Sequence, residues 1–191
     1  MYNTRMKSVS HIFGGEAKVK IMRLFVFNPE STFSGAAVAR RVKEKPTNAR
    51  RELASLVKAG LLRKRTRGYA LNHTYAHLGA LENFLIDASP VTDQEIIKKL
   101  SRAGAIKLLL TSGVFIHNPE SRVDLLVVGD HIRQGALLRA ISGLEAELGT
   151  ELRYAAFETP DFKYRLGLYD KLIRDILDYP HERLVNKLGL A

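Results

Sequence analysis

Apolar residues in the first half of the chain recur at helical spacing, interrupted at short intervals by proline, glycine and basic residues. Val19, Met22 and Phe25, broadened by Ile21 and Leu24, predict a helix beginning at Glu16. Asn28-Pro29-Glu30-Ser31 ends it, because proline disfavours helix at the residue before it. A second helix carries Val38 and Val42, with Ser34 placed to cap its first turn and Lys43 to Lys45 making the turn that follows. Ala49, Leu53, Leu56 and Val57 form the buried stripe of a third helix over 46–59. Pro46 suits its first position, where a missing N–H goes unused, and Gly60 suits the left-handed residue just past its end. With that stripe inward, Thr47, Asn48, Arg51, Ser55 and Lys58 point away from the core and Arg50 falls at its edge. Residues 61–64 and 69–71 can then pair across Arg65-Thr66-Arg67-Gly68, giving a hairpin with a cationic tip.

Residues 74–86 carry Leu78, Leu81, Phe84 and Leu85, an apolar stripe on a helix with few charges, and such a helix needs a partner. Asp87-Ala88-Ser89-Pro90 reads as a boundary that divides the chain into 1–89 and 90–191. Past it, Thr92-Asp93-Gln94-Glu95 opens a helix with a capping-box pattern. That helix runs to about residue 102, followed by strand 106–110, strand 123–128, helix 134–148, strand 152–157 and helical segments to the end. The pattern predicts an α+β chain, a helical N-terminal module followed by a layer whose sheet is covered on at least one face.

Charge changes the picture most. Between positions 35 and 70 there are eleven Lys and Arg against Glu44 and Glu52, whereas from Pro90 onward fourteen basic residues meet fourteen acidic ones, so the formal +10 of the chain is concentrated in one short module. A positive field so confined suits a polyanion, because each neutralised phosphate releases condensed counterions. At 191 residues and 46% hydrophobic the chain can bury a core. No run approaches the roughly eighteen apolar residues of a membrane span, and the first residues lack the apolar core of a signal peptide, so a cytoplasmic protein with no membrane partner is expected. The absence of cysteine excludes a disulfide framework, a thiolate zinc site and thiol chemistry. His73 and His77 stand four apart, but no third ligand accompanies them. They read as helix-surface histidines, and neither a metal nor a cofactor is expected.

The run TNARRELASLVKAGLLRKRTRGYALN resembles the recognition helix and wing of winged helix-turn-helix transcription regulators of the ArsR-like and MarR-like type, over about the first third of the chain. The resemblance implies that Thr47, Asn48 and Arg51 enter the major groove of double-stranded DNA. By the same resemblance Arg63, Lys64, Arg65 and Arg67 would lie along a phosphate strand or in the minor groove, while the helical phase itself adds Arg50, better placed for a phosphate than for a base, and outward-facing Lys58 as DNA contacts. The resemblance also implies a homodimer, since the element after the wing often builds one in these regulators.

A second run, LLLTSGVFIHNPESRVDLLVVGD, resembles the core of the nucleotidyltransferase fold, in which one strand ends in Gly-Ser and the next carries Ser-Asp-x-Asp-Leu-x-Val. The first aspartate of that motif is Arg122 here, and Asp124 is the second. Two aspartates on one strand face would hold a divalent cation over nucleotide phosphates. Arg122 replaces that site with a fixed positive charge expected to pair with Asp124. Ser112, Arg122 and Asp124 are then candidates for a ligand pocket that takes a small anion or a nucleotide, without catalysis. These features together predict a DNA-binding transcription regulator whose C-terminal nucleotidyltransferase-like domain serves dimerisation or ligand sensing. The alternative is a small metal-dependent nucleotidyltransferase with a nucleic-acid-binding N-terminal domain.

Overall fold

The computed structural model describes residues 10–88, 90–118 and 120–190. Residues 1–9, Ser89 of the predicted boundary and Pro119 of the second motif lie outside the described residues. The fold is mixed α+β. It divides into two compact units, Met1–Thr92 with Ser142–Thr150, and Asp93–Ile141 with Glu151–Ala191. The predicted division at residue 89 placed everything beyond it in one domain, but Ser142–Thr150 groups with the first unit.

In the first unit α1 (Glu16–Val26) leads into the short strand β1 (Thr32–Phe33), then α2 (Gly35–Arg41) and α3 (Pro46–Lys58). The hairpin β2 (Leu62–Arg65) and β3 (Gly68–Leu71) precedes α4 (Leu78–Asp87), and the three strands form an antiparallel sheet in the order β1-β3-β2. Ser34 caps α2, its Oγ accepting from the Ala37 amide at 3.2 Å. Pro46 occupies the first turn of α3, and Gly60 beyond its end has φ 82°. Arg65 pairs with Gly68, so the hairpin turn is the two residues Thr66 and Arg67 and not the four-residue connection expected. A Cβ on Gly68 would lie 2.2 Å from the Phe33 carbonyl oxygen, so only glycine lets β3 pass the end of β1.

The helix predicted over 74–86 begins only at Leu78. Asn72 holds the preceding residues in a turn, its Oδ1 accepting from the Thr74 amide (3.2 Å) and hydroxyl (2.9 Å), while its Nδ2 donates to the Gly60 carbonyl at 2.6 Å. A larger difference concerns α1, whose apolar spacing marks only Val19, Ile21, Met22, Leu24 and Phe25. Every residue from Val19 to Val26 is buried, Lys20 and Arg23 included. The second side is covered by Ser142–Thr150, where Lys20 pairs with Glu147 at 3.0 Å, Arg23 Nε donates to the Leu148 carbonyl at 3.1 Å, and Asn28 Nδ2 donates to the Gly149 carbonyl at 2.7 Å.

The second unit contains α5 (Asp93–Leu100), β4 (Ala105–Thr111), β5 (Leu125–Asp130), β6 (Tyr154–Glu158), α7 (Thr159–Gly167), α8 (Lys171–Asp178) and β7 (Glu182–Asn186). The helix α6 (Gln134–Leu148) is divided between the two units at Ile141. The sheet order is β6-β5-β4-β7, with β5 and β6 parallel and β4 antiparallel to both its neighbours. On one face Leu108, Leu110, Leu126 and Val128 pack with Phe162, Ile173 and Ile176. Leu109 and Val127, which alternate with them, are also fully buried, and a strand buried on both sides reads as an unbroken apolar run.

Two expected strand starts move inward by two residues. Val123 and Asp124 are bonded ahead of the ladder: Ser112 Oγ donates to the Val123 carbonyl and the Asp124 amide to the Arg153 carbonyl. The chain was also expected to finish in helices, yet β7 closes one edge of the sheet against β4. Its apolar content is only Leu184 and Val185, too little to mark a strand by alternation.

Candidate nucleic-acid interface

The buried side of α3 is Ala49, Glu52, Leu53 and Leu56. Opposite it, Thr47, Arg51, Ala54 and Lys58 are exposed on successive turns of one face, with the exposed Arg50 beside them. Asn48 and Ser55, expected to point outward, are only half-buried, and the middle of the open face is Ala54. The cause is Glu52, which the apolar pattern passed over. Its Oε2 pairs with Lys18 Nζ of α1 at 3.3 Å, so α1 covers the flank of α3 on which Asn48 and Ser55 lie.

Arg63, Lys64, Arg65 and Arg67 of the hairpin are all exposed. Arg63 donates to the Thr74 hydroxyl at 2.6 Å, which fixes the base of the hairpin to the turn before α4. Among the described residues Arg50, Lys58, Lys64, Arg65 and Arg67 form no ion pair, while Arg51 donates from Nε to Glu52 Oε1 at 3.0 Å. The α2 to α3 turn adds exposed Lys43 and Lys45, and Arg41 stands over the Phe33 ring at 5.1 Å. The first unit therefore presents exposed cations on the open face of α3 and along the hairpin, with few carboxylates to neutralise them.

Of the three residues proposed for a pocket in the second unit, Ser112 and Asp124 adjoin, the Ser112 amide donating to the Asp124 carbonyl at 2.9 Å, but Arg122 does not join them. Arg122 precedes β5 and does not share a strand face with Asp124; it is exposed and pairs with Asp175 of α8 at 3.1 Å. The expected Arg122–Asp124 pair is thus absent. Asp124 is buried, and its carboxylate accepts from the Val114 amide (3.0 Å), the Arg153 amide (2.8 Å) and the Arg153 guanidinium (3.2 Å from Nη2). Ser112 is buried beside it, but its hydroxyl donates to the Val123 carbonyl. Gly113, at φ 55°, completes the corner: a Cβ there would fall 1.9 Å from Asp124 Oδ1. Asp124 thereby ties the end of β4 to the residues that open β5 and β6, a role that Arg153 shares and that the motif alone did not reveal.

His77 stands just before α4 and His73 lies in the turn preceding it, both exposed, so neither is on the helix surface expected. Among the described residues no group of three His, Asp or Glu side chains could hold a metal ion. An apolar groove of about 380 Å³ in the first unit, lined by Phe13, Met22, Leu61, Tyr75, Leu81 and Phe84 among others, was not anticipated; its signal in the sequence is the uncharged stripe of α4. No helix of the described residues is long and apolar enough to cross a membrane. Compared with known proteins, the chain matches no family model, no curated protein and no solved structure.

Proposed function

We propose that the chain is a DNA-binding transcription regulator in which the first unit is a winged helix-turn-helix domain. On this reading α3 enters the major groove, with Thr47, Arg51, Ala54 and Lys58 toward the bases and Arg50 toward a phosphate, while Arg63, Lys64, Arg65 and Arg67 of the β2–β3 hairpin follow the backbone. The observation that carries the proposal is the cationic surface itself. Its charges sit on the exposed side of α3 and on the hairpin, and five of them have no carboxylate partner among the described residues. The order helix, strand, helix, helix, hairpin, with β1 paired to β3, supports the winged-helix resemblance. The protein would act in the cytoplasm as a homodimer.

For the second unit the proposal is a nucleotidyltransferase-like domain that serves dimerisation or ligand sensing. Support comes from β4 ending at Thr111, just before Ser112, and running antiparallel to β5, which opens directly after Asp124. The enzyme alternative gains no comparable support, because the Asp124 carboxylate is engaged by Val114 and Arg153 and Arg122 by Asp175. Selection of bound fragments from genomic DNA at physiological salt tests the main proposal. Enrichment of a common motif is the expected result, and recovery of fragments with no shared sequence would reduce the role to non-specific binding.

A further inference from the structure

We infer that Arg51 reads a guanine in the major groove and that Glu52 is the residue that positions it; this rests on the DNA-binding reading above. Three side chains form a line across α3. Glu52 is 6% exposed, a buried carboxylate in the most cationic module of the chain. One of its oxygens holds Lys18 Nζ at 3.3 Å and the other accepts from Arg51 Nε at 3.0 Å. Arg51 itself is 73% exposed along its side chain, and among the described residues its terminal nitrogens make no bond to the chain.

The guanidinium is therefore held at Nε, with the Nη1 and Nη2 end left for a partner. A free arginine gives up rotamer freedom when it docks, and one already tethered has less to lose. The open end is a pair of parallel donors. Guanine offers O6 and N7 as a matching pair of acceptors in the major groove, whereas adenine sets its N6 donor next to N7 and opposes one of the two. Glu52 cannot take a base contact of its own, since its oxygens are engaged and buried. Ala54, exposed on the same face, carries no bulk that would keep Arg51 away from a base edge. Glu52 is a positioning residue, acting on the base only through Arg51.

The test uses the full chain and the duplexes it selects at physiological salt. The wild type is expected to require a guanine at one position of its site, and 7-deazaguanine there, which lacks the N7 acceptor, weakens binding about tenfold. Arg51→Lys keeps the charge but not the fork, and loses the preference at that position. Glu52→Gln lowers guanine-over-adenine discrimination severalfold while leaving affinity for unrelated duplexes within about twofold, since no phosphate contact is touched. Lys18→Met breaks the other half of the line and keeps the discrimination, which separates positioning from a general loss of stability read by thermal melting. Should Glu52→Gln not fold, Glu52→Asp withdraws the carboxylate and replaces it in the comparison. A wild type that selects no duplex overturns the DNA-binding reading and this inference together. A selected site indifferent to guanine, unchanged discrimination in the Glu52 variants, or equal losses from Glu52→Gln and Lys18→Met overturns this inference alone.

Discussion

Arg23 is a cation with almost no access to water, and it is satisfied by main-chain oxygens at two helix ends. Its Nε and Nη1 donate to the carbonyls of Leu148 and Leu85, in the last turns of α6 and α4, and its guanidinium lies over the Phe27 ring at 4.9 Å. Burial pushes its pKa down to about 10, with Glu147 acting in the opposite sense, so it stays charged at neutral pH and complements the negative end of each helix. Replacing it by methionine keeps the packing and strands both carbonyls. Arg23→Met is expected to lower unfolding stability by about 2–4 kcal/mol, measured from denaturant midpoints at unchanged slope; a loss within error would mean that water takes over both acceptors. The apolar spacing of α1 predicts which residues face inward but carries no trace of Arg23, because an arginine is normally assigned to the surface. Arg122 illustrates the same blindness: its neighbourhood in sequence pointed to Asp124, while its actual partner, Asp175, lies far along the chain.

Elements with local signals are legible in the sequence. Ser34 at the start of α2, Pro46 and Gly60 around α3, and the spacing of Ala49, Leu53 and Leu56 place that module to within a residue or two. Elements defined by long-range pairing are not. The two residues of β1 exist as a strand only because β3 runs past them, and β7 only because β4 has an open edge. The candidate site was read in part for the same reason: the cationic hairpin followed from sequence, but the tilt of the open face of α3 toward Ala54 depends on Lys18 reaching Glu52 from another helix. Gly68 carries a testable consequence at this scale. Its φ of 146° and its contact with the Phe33 carbonyl leave no room for a side chain, so Gly68→Ala must displace β3 from β1 or strain the backbone. The expected loss is roughly 1–3 kcal/mol. Hydrogen exchange should accelerate first at Phe33 and along the hairpin while α1 stays protected; uniform acceleration would mean that the sheet and the helices open as one unit.

Taken as a whole, the chain separates its electrostatics from its larger sheet: the module between residues 35 and 70 holds the excess charge, and the remainder beyond Pro90 is balanced. For a protein of net charge +10 this has a measurable signature in the salt dependence of DNA binding. Each phosphate neutralised contributes about −0.9 to the slope of log affinity against log salt. Arg65 and Arg67 border or lie in the exposed hairpin turn and form no ion pair among the described residues, so their charges are free to act on phosphate. Arg65→Ala and Arg67→Ala are each expected to flatten the slope by about one and to weaken all duplexes alike, with the double variant close to additive because each contact releases its own counterions. Arg51→Ala should behave differently, losing discrimination among sites with little change in slope, because a base contact displaces no condensed ion. Titrations of selected and unrelated duplexes over a range of salt measure both quantities together. If Arg51→Ala flattened the slope as much as the hairpin variants do, the division between a reading helix and a backbone-binding hairpin would fall, and the module would be a uniform cationic surface.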